Sequence, residues 1–164
     1  MSNFLKKDIK ELSKEFDLHE EDVTNFVNNL KENNGFDNKG RLIIRFKPIW
    51  FNKLTTGLYR KEVNFHNFDE FSSDNEEHWI ALEMAKQYDE LAAYSSCFIG
   101  TFQMFGLYYR NAGYKTSKLM FDDYATGNRA QMKSLLAFCK DAKIIDFVKT
   151  GDYSVIKYVK SNYN

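Results

Sequence analysis

The sequence has few of the residues that build disulfide-stapled or metal-bound proteins. Among its 164 residues there are two cysteines and three histidines. The histidines, His19, His66 and His78, show neither close ligand spacing nor pairing with a cysteine, so we expect no metal site. Cys97 and Cys139 lie in apolar segments of a chain long enough to fold without a disulfide, and we expect free, buried thiols. No cofactor is expected.

Two further absences concern membranes and nucleic acids. No apolar run approaches the length of a membrane-spanning helix, and residues 1–10 lack the apolar stretch of a secretory signal. Basic and acidic residues number 23 each, so no overall positive field favours binding to DNA or RNA. We therefore expect a protein that is made and kept in a cytosol, without a nucleic-acid partner.

What the sequence does contain is helical periodicity and many aromatic residues, with 15 Phe and 10 Tyr for the core. Apolar residues at three- and four-residue steps predict a first helix from Phe4 and Leu5 to Phe16. A second helix is predicted from Asp17, as its N-cap, to about Glu32. The predicted later helices cover 48–54, a segment from Glu77 with Trp79, Leu82 and Ala85 on its apolar stripe, 92–107, 117–125, 129–142 and 152–160.

The predicted fold is a single domain over residues 1–164, mainly α in the α+β class. Residues 41–46 are rich in β-formers and predict a small hairpin or sheet after the second helix. Residues 92–107 are predicted to be the central buried helix. The acidic, serine-containing stretch 69–77 predicts a loop.

Several strings resemble the N-acetylmuramidase domains of phage endolysins. The string Gly100-Thr101-Phe102-Gln103-Met104-Phe105-Gly106 is similar to their G-x-F-Q-I-M-G signature. The upstream W-x-x-L-x-x-A-x-x-x-D-x-x-x-A-x-x-S spacing is matched by Trp79, Leu82, Ala85, Asp89, Ala93 and Ser96. Further matches are Gly35-Phe36, Gly40-Arg41, Ile44, Phe46, Phe51, Leu54, Thr55, Gly113-Tyr114 and Gln131-Met132. Their order and spacing carry the resemblance over nearly the whole chain.

The resemblance implies a lysozyme-like fold with two helical lobes and a small β hairpin beside the cleft. It implies hydrolysis of the β-1,4 bond between N-acetylmuramic acid and N-acetylglucosamine in bacterial peptidoglycan. In the family, the helix before G-F ends in V-E-S-x-G and its glutamate is the catalytic acid. The corresponding string here is Lys31-Glu32-Asn33-Asn34-Gly35, so this role carries over to Glu32. Glu32 would protonate the leaving oxygen, and water would attack the oxocarbenium-like centre.

Three residues are candidates for substrate binding: Gln103, Ser96 and Asp37. Gln103 would lie in an apolar segment, where its amide must bind either a sugar or the backbone. Asp37 is the nearest acid after Glu32, although its turn position favours a structural role. Ser96, with Ser95 and Tyr94, would line the same edge of the cleft, or the serines would simply start the helix.

The sequence departs from the family pattern at several points. S-W-G is replaced by Phe98-Ile99-Gly100, F-E-R by Phe46-Lys47-Pro48, and no Y-N-G follows Asp152-Tyr153. These departures leave the second carboxylate unassigned. They also keep two alternatives open: an inactive peptidoglycan-binding or phage structural protein with the same fold, and a helical interaction domain.

The expected partner is bacterial peptidoglycan, bound by a monomer without a metal. The resemblance implies a protein that waits in the host cytoplasm before lysis and then acts on periplasmic or cell-wall peptidoglycan. A separate membrane-permeabilising protein would release it.

Overall fold

The computed structural model describes residues 6–162 of the chain. Its helices are α1 (Lys6–Phe16), α2 (Glu20–Leu30), α3 (Pro48–Leu54), α4 (Asn75–Lys86), α5 (Glu90–Ser95), α6 (Ser117–Tyr124), α7 (Asn128–Asp141), α8 (Asp146–Thr150) and α9 (Tyr153–Asn162). The strands are β1 (Ile44–Phe46), β2 (Cys97–Ile99) and β3 (Met104–Phe105), and a 3₁₀ turn covers Gly106–Tyr109. The fold is therefore mainly helical with a small sheet, as predicted.

The three strands form one antiparallel sheet in the order β1-β2-β3. In its register Arg45 pairs with Phe98, and Phe98 pairs with Phe105. Because side chains alternate between the faces of a sheet, the neighbours of these residues point the other way. That inner face, which lies in the core, carries Ile44, Phe46, Cys97, Ile99 and Met104.

The prediction of a single helix over 92–107 is wrong. The segment contains the end of α5, then β2 and β3, joined by a turn over residues 100–103. Gly100 has φ +73° and Gln103 has φ +47°, which is left-handed backbone that a helix cannot contain. Nearly all residues of the segment are buried, so its apolar run could not distinguish a short buried strand from a helix.

Of the two forms predicted for the β element after α2, a small hairpin or a sheet, the structure has the sheet. Residues 41–46 contribute only β1, and the strand that pairs with it, β2, lies some fifty residues later in the sequence. Locally there is a single isolated bridge between Phe36 and Leu42 among the described residues.

Most of the other helices are confirmed. α3 begins at Pro48, and α6 and α7 lie within about a residue of their predicted bounds. α2 ends at Leu30 and not at Glu32, and its N-cap is His19 because Asp17 has a left-handed φ of +54°. The short helix α8 was not predicted. Phe4 and Leu5, assigned to the first helix, lie outside the described residues.

The stripe of α4 faces the core as predicted. Leu82 and Ala85 are fully buried, and the half-buried Trp79 donates a hydrogen bond from its indole nitrogen to the Leu42 carbonyl at 2.9 Å. Cys97 and Cys139 are confirmed as free, buried thiols. Burial raises the pKa of Cys139 to about 12, so this thiol is a packing group rather than a nucleophile.

No helix within residues 6–162 is long and apolar enough to cross a membrane. The same part of the chain holds no group of three or more His, Cys, Asp or Glu side chains placed to bind a metal ion.

Candidate active site

The two strings that carry the family resemblance most strongly meet in space. The backbone amides of Glu32 and Asn33 both donate to the carbonyl oxygen of Thr101, at 2.9 and 3.3 Å. The Asn33 side chain adds a hydrogen bond to the carbonyl of Gly100, 67 positions along the chain, at 3.2 Å. The loop after α2 is thus fixed on the turn between β2 and β3, and this turn sets the position of Glu32.

Two glycines allow this close approach. A Cβ atom on Gly35 would collide with the Thr101 hydroxyl, and one on Gly100 would collide with the Gln131 side chain. Both glycines also have positive φ, +84° and +73°. Gln131 of α7 is fully buried; its side-chain oxygen accepts from the Thr101 amide at 2.6 Å, and its nitrogen donates to the Tyr124 carbonyl at 3.2 Å. α7 therefore supports the turn from behind.

Glu32 lies two residues beyond the end of α2, and its side chain is 42% exposed. Its Oε1 atom accepts a hydrogen bond from the Lys160 ammonium at 2.6 Å. The same ammonium donates to the Phe102 carbonyl, also at 2.6 Å, and the Lys160 side chain is only 9% exposed. Lys160 thus joins α9, Glu32 and the β2–β3 turn.

Neither Lys160 nor the supporting role of Gln131 was predicted from the sequence. The one available signal was that Lys160 follows Ile156 by four positions, which places it on the buried face of α9. A lysine there needs a partner inside the protein. Which partner it has depends on tertiary contacts that helical spacing does not reveal.

A cavity of about 330 Å³ opens at Glu32. It is lined by Asn29, Leu30, Lys31, Glu32, Lys157, Lys160 and Ser161. Among these lining residues Glu32 is the sole acid, beside three lysines. The site is therefore rich in positive charge, although the formal net charge of the chain is zero.

The sequence pattern of the N-acetylmuramidases matches residues 23–164, which is most of the chain. The chain belongs to the N-acetylmuramidase family. This confirms the resemblance described above. The cavity at Glu32 lies within the matched region.

The fold of this chain is also similar to that in the crystal structure of the Burkholderia AP3 phage endolysin, with a TM-score of 0.80. The alignment covers 98% of this chain and 64% of that endolysin at 16% sequence identity. At this identity the comparison shows a shared fold, and the chain spans somewhat less than two thirds of the endolysin's length. No curated protein matches the chain.

Gln103, a predicted sugar contact, lies in the β2–β3 turn and is 3% exposed. Its side-chain nitrogen donates to the carbonyls of Gly100 at 2.8 Å and Ile43 at 3.3 Å. Its oxygen Oε1 is buried without a hydrogen-bond partner in the described part of the chain. The amide nitrogen therefore holds the backbone, which was the alternative role, and contact with a sugar stays a prediction.

Asp37 is occupied by its own loop. One carboxylate oxygen accepts from the backbone amides of Lys39 and Arg41, and the other accepts from the Arg41 guanidinium and the Asn75 amide, all at 2.9 to 3.1 Å. Desolvation opposes ionisation, but these bonds outweigh it and lower the pKa of Asp37 to about 2. Substrate binding by Asp37 stays a prediction, and the observed contacts are structural.

Ser96 is fully buried and donates its hydroxyl to the Ala92 carbonyl at 2.7 Å. Ser95 and Tyr94 are nearly buried as well. The structure does not place these side chains among those that line the cavity at Glu32. A role for Ser96 in substrate binding therefore stays a prediction without a supporting contact.

Proposed function

We propose that this muramidase hydrolyses the β-1,4 bond between N-acetylmuramic acid and N-acetylglucosamine, with Glu32 as the general acid. The observation that carries the proposal is the docking of the Glu32 loop onto the Gly100–Gln103 turn, with the carboxyl group at an open cavity. A general acid must be held by a rigid element within hydrogen-bond reach of the oxygen that it protonates.

The contacts of Glu32 suit this role. Its backbone amide is tied to Thr101, and its Oε1 atom is held by Lys160. No donor from residues 6–162 contacts its Oε2 atom, and the side chain is 42% exposed, so Oε2 can meet a glycosidic oxygen. Lys160 would then orient the carboxyl group while the second oxygen faces the substrate.

In the proposed reaction the proton of the Glu32 carboxyl moves to the glycosidic oxygen as the bond between that oxygen and the anomeric carbon of N-acetylmuramic acid breaks. The departing N-acetylglucosamine takes the proton. Water then attacks the oxocarbenium-like carbon, releases a proton to solvent and leaves a new reducing end on N-acetylmuramic acid. The Glu32 carboxylate takes up a proton from solvent before the next cycle. Of the described residues that line this cavity, none supplies a second carboxylate.

We further propose that the protein acts as a monomer on cell-wall peptidoglycan from a host cytoplasmic location. It would gain access through a separate membrane-permeabilising protein. This proposal rests on the family and on the fold shared with a phage endolysin.

The experiment is mass analysis of soluble fragments after digestion of purified peptidoglycan and borohydride reduction. Reduced N-acetylmuramic acid at the new chain ends is the expected result. Reduced N-acetylglucosamine would show that the other glycosidic bond is cut. If well-folded protein releases no fragments but pellets with the wall, the inactive binding protein becomes the correct description.

A further inference from the structure

The loop that carries Glu32 contains the only Asn-Gly pair of the sequence, Asn34-Gly35. An asparagine side chain loses its amide group when the next backbone nitrogen attacks its Cγ atom. A following glycine shields that nitrogen least, because it has no side chain. This reaction is one reason why asparagine counts among the heat-labile residues of proteins. The Asn34 side chain is exposed, so the pair has both the chemistry and the access that deamidation requires.

The nucleophile of this reaction, the backbone nitrogen of Gly35, is held by the residue before the pair. Its N–H group donates a hydrogen bond to Oδ1 of Asn33 at 2.6 Å. A hydrogen bond of this length keeps the proton on the nitrogen and fixes the orientation of the peptide. While the bond is made, the Gly35 nitrogen cannot lose its proton and attack Asn34.

The Asn33 side chain is itself fixed on the β2–β3 turn. Its Nδ2 atom donates to the Gly100 carbonyl at 3.2 Å, and its backbone amide donates to the Thr101 carbonyl at 3.3 Å. Because the side-chain amide is bonded at both ends, Oδ1 cannot turn away from Gly35 without losing the contact with Gly100. The protection of the Gly35 nitrogen therefore depends on the docking of the loop.

Gly35 is fixed by its own contacts as well. It is buried, and its carbonyl oxygen accepts from the Ile43 amide at 2.9 Å. A Cβ atom at this position would collide with the side chains of Thr101 and Asn128, which shows how closely the turn surrounds it. The cyclic imide that forms during deamidation requires the peptide between Asn34 and Gly35 to turn. These contacts oppose that rotation.

We propose that Asn34 is a site of spontaneous deamidation, which the Asn33 side chain protects in the folded chain. When the loop leaves the turn, the Gly35 nitrogen loses its proton and bonds to Cγ of Asn34, and the side-chain nitrogen departs as ammonia. Water then opens the cyclic imide at one of its two carbonyl groups. One opening gives aspartate at position 34. The other gives isoaspartate, in which the main chain runs through the former side chain.

Isoaspartate is the product that the docked loop cannot accept. It places one additional carbon atom in the main chain between residues 34 and 35. Before this bond, the amides of Glu32 and Asn33 are bound to the Thr101 carbonyl, and after it Gly35 packs against the Thr101 hydroxyl. The lengthened segment cannot keep both contacts, so the modified loop stays undocked. Aspartate adds a charge and leaves the main chain unaltered.

The reaction is followed by mass spectrometry of the wild-type chain, kept in mildly alkaline buffer either folded or unfolded in urea. The tryptic peptide 32–39 contains Asn33, Asn34 and Asn38, and its fragment spectra assign the conversion to one of them. Asn38 is exposed and is followed by lysine, so it is the internal control. Asn34 should convert faster than Asn38 in urea, and at least about tenfold more slowly in the folded chain than in urea.

Two variants locate the protecting group. Asn33→Ala removes the acceptor of the Gly35 amide and should raise the rate of conversion of Asn34 in the folded chain about fivefold or more. Asn28→Ala, the same change at an exposed position of α2, should leave this rate within about twofold. Circular dichroism checks that both variants are folded.

A third comparison tests the undocking. The isoaspartate form, separated by chromatography from aged wild-type protein, should melt at a lower temperature than Asn34→Asp. That variant carries the same charge on an unaltered main chain, so it isolates the effect of the additional carbon atom.

Conversion of Asn34 in urea that is no faster than that of Asn38 would overturn the site. Equal rates at Asn34 in folded and unfolded wild type would overturn the protection, and this comparison needs no variant. An unchanged rate in folded Asn33→Ala would show that Asn33 is not the protecting group. Equal melting temperatures of the isoaspartate form and Asn34→Asp would overturn the undocking. None of these measurements uses peptidoglycan, so their outcome is independent of the proposed function.

Discussion

The backbone amide of Glu32 donates a hydrogen bond to the carbonyl oxygen of Thr101 at 2.9 Å, across 69 positions of the chain. This bond joins the loop after α2 to the turn between β2 and β3. It explains why glutamate and the G-x-F-Q-like string belong to one pattern although they are far apart in sequence. The position of the proposed acid therefore depends on the packing of the turn over residues 100–103. This turn contains no charged residue.

The close approach at this turn predicts different effects for two glycines. Gly35 and Gly40 have similar φ values, +84° and +75°, but a Cβ on Gly35 would collide with the Thr101 hydroxyl and one on Gly40 would meet nothing within 4 Å. Gly40→Ala should lower the free energy of unfolding by about 1 kcal/mol from backbone strain. Gly35→Ala should cost about 1 to 3 kcal/mol more. Urea denaturation measures both, and equal losses would show that the contact is not tight.

The hydrogen bonds of Asp37 predict an acid-dependent part of the stability. Because the pKa of Asp37 falls from 3.8 to about 2 in the folded chain, its stabilisation is present above pH 4 and is lost as the pH falls to about 2. Asp37→Asn should therefore cost roughly 1 to 2 kcal/mol at pH 7, discounted for solvent screening at the loop edge. The difference from wild type should shrink towards pH 2.

The matched control for this prediction is Asp146→Asn, because the Asp146 side chain is 85% exposed. Its unfolding free energy should follow that of the wild type from pH 7 to pH 2. If the loss of unfolding free energy in Asp37→Asn stays constant over this range, the charge of the Asp37 carboxylate contributes nothing to stability.

The sequence predicts α3 and α7 well, but it does not predict the β2–β3 region. Pro48 and the apolar periodicity of residues 129–142 act locally, so those helices could be predicted within a residue or two. The turn around Gly100 and Gln103 could not, because a segment that is buried at nearly every residue has no polar face to reveal its period.

The site was predictable only in part. The family pattern singles out Glu32, because its motif fixes one position in the sequence. Gln131 and Lys160 reach the site from α7 and α9, and their partners are carbonyl or amide groups of a turn that had been predicted as helix. Such contacts follow from the packing of distant elements and leave no local pattern.

The buried ammonium of Lys160 predicts a structural cost when it is removed. Lys160→Met keeps the apolar stem, but the Phe102 carbonyl loses this donor and Glu32 loses its cation. We expect a loss of about 1 to 3 kcal/mol in unfolding free energy, as for the loss of a buried hydrogen bond from a charged donor. Lys157→Met, on an exposed position three residues earlier, should change it by less than about 0.5 kcal/mol. Thermal denaturation that gives equal values for both variants would contradict a bracing role for Lys160.

The most direct test concerns Glu32 itself. Glu32→Gln keeps the size of the side chain and can still accept the bond from Lys160, but it cannot supply a proton. It should still unfold in one cooperative transition, with a lower midpoint because the buried Lys160 loses its counter-charge, while the rate of fragment release from peptidoglycan should fall by about 10² to 10⁴ or more. Glu21→Gln, on the exposed face of α2, should digest at the wild-type rate. A folded Glu32→Gln protein that digests peptidoglycan as fast as the wild type would show that Glu32 is not the catalytic acid.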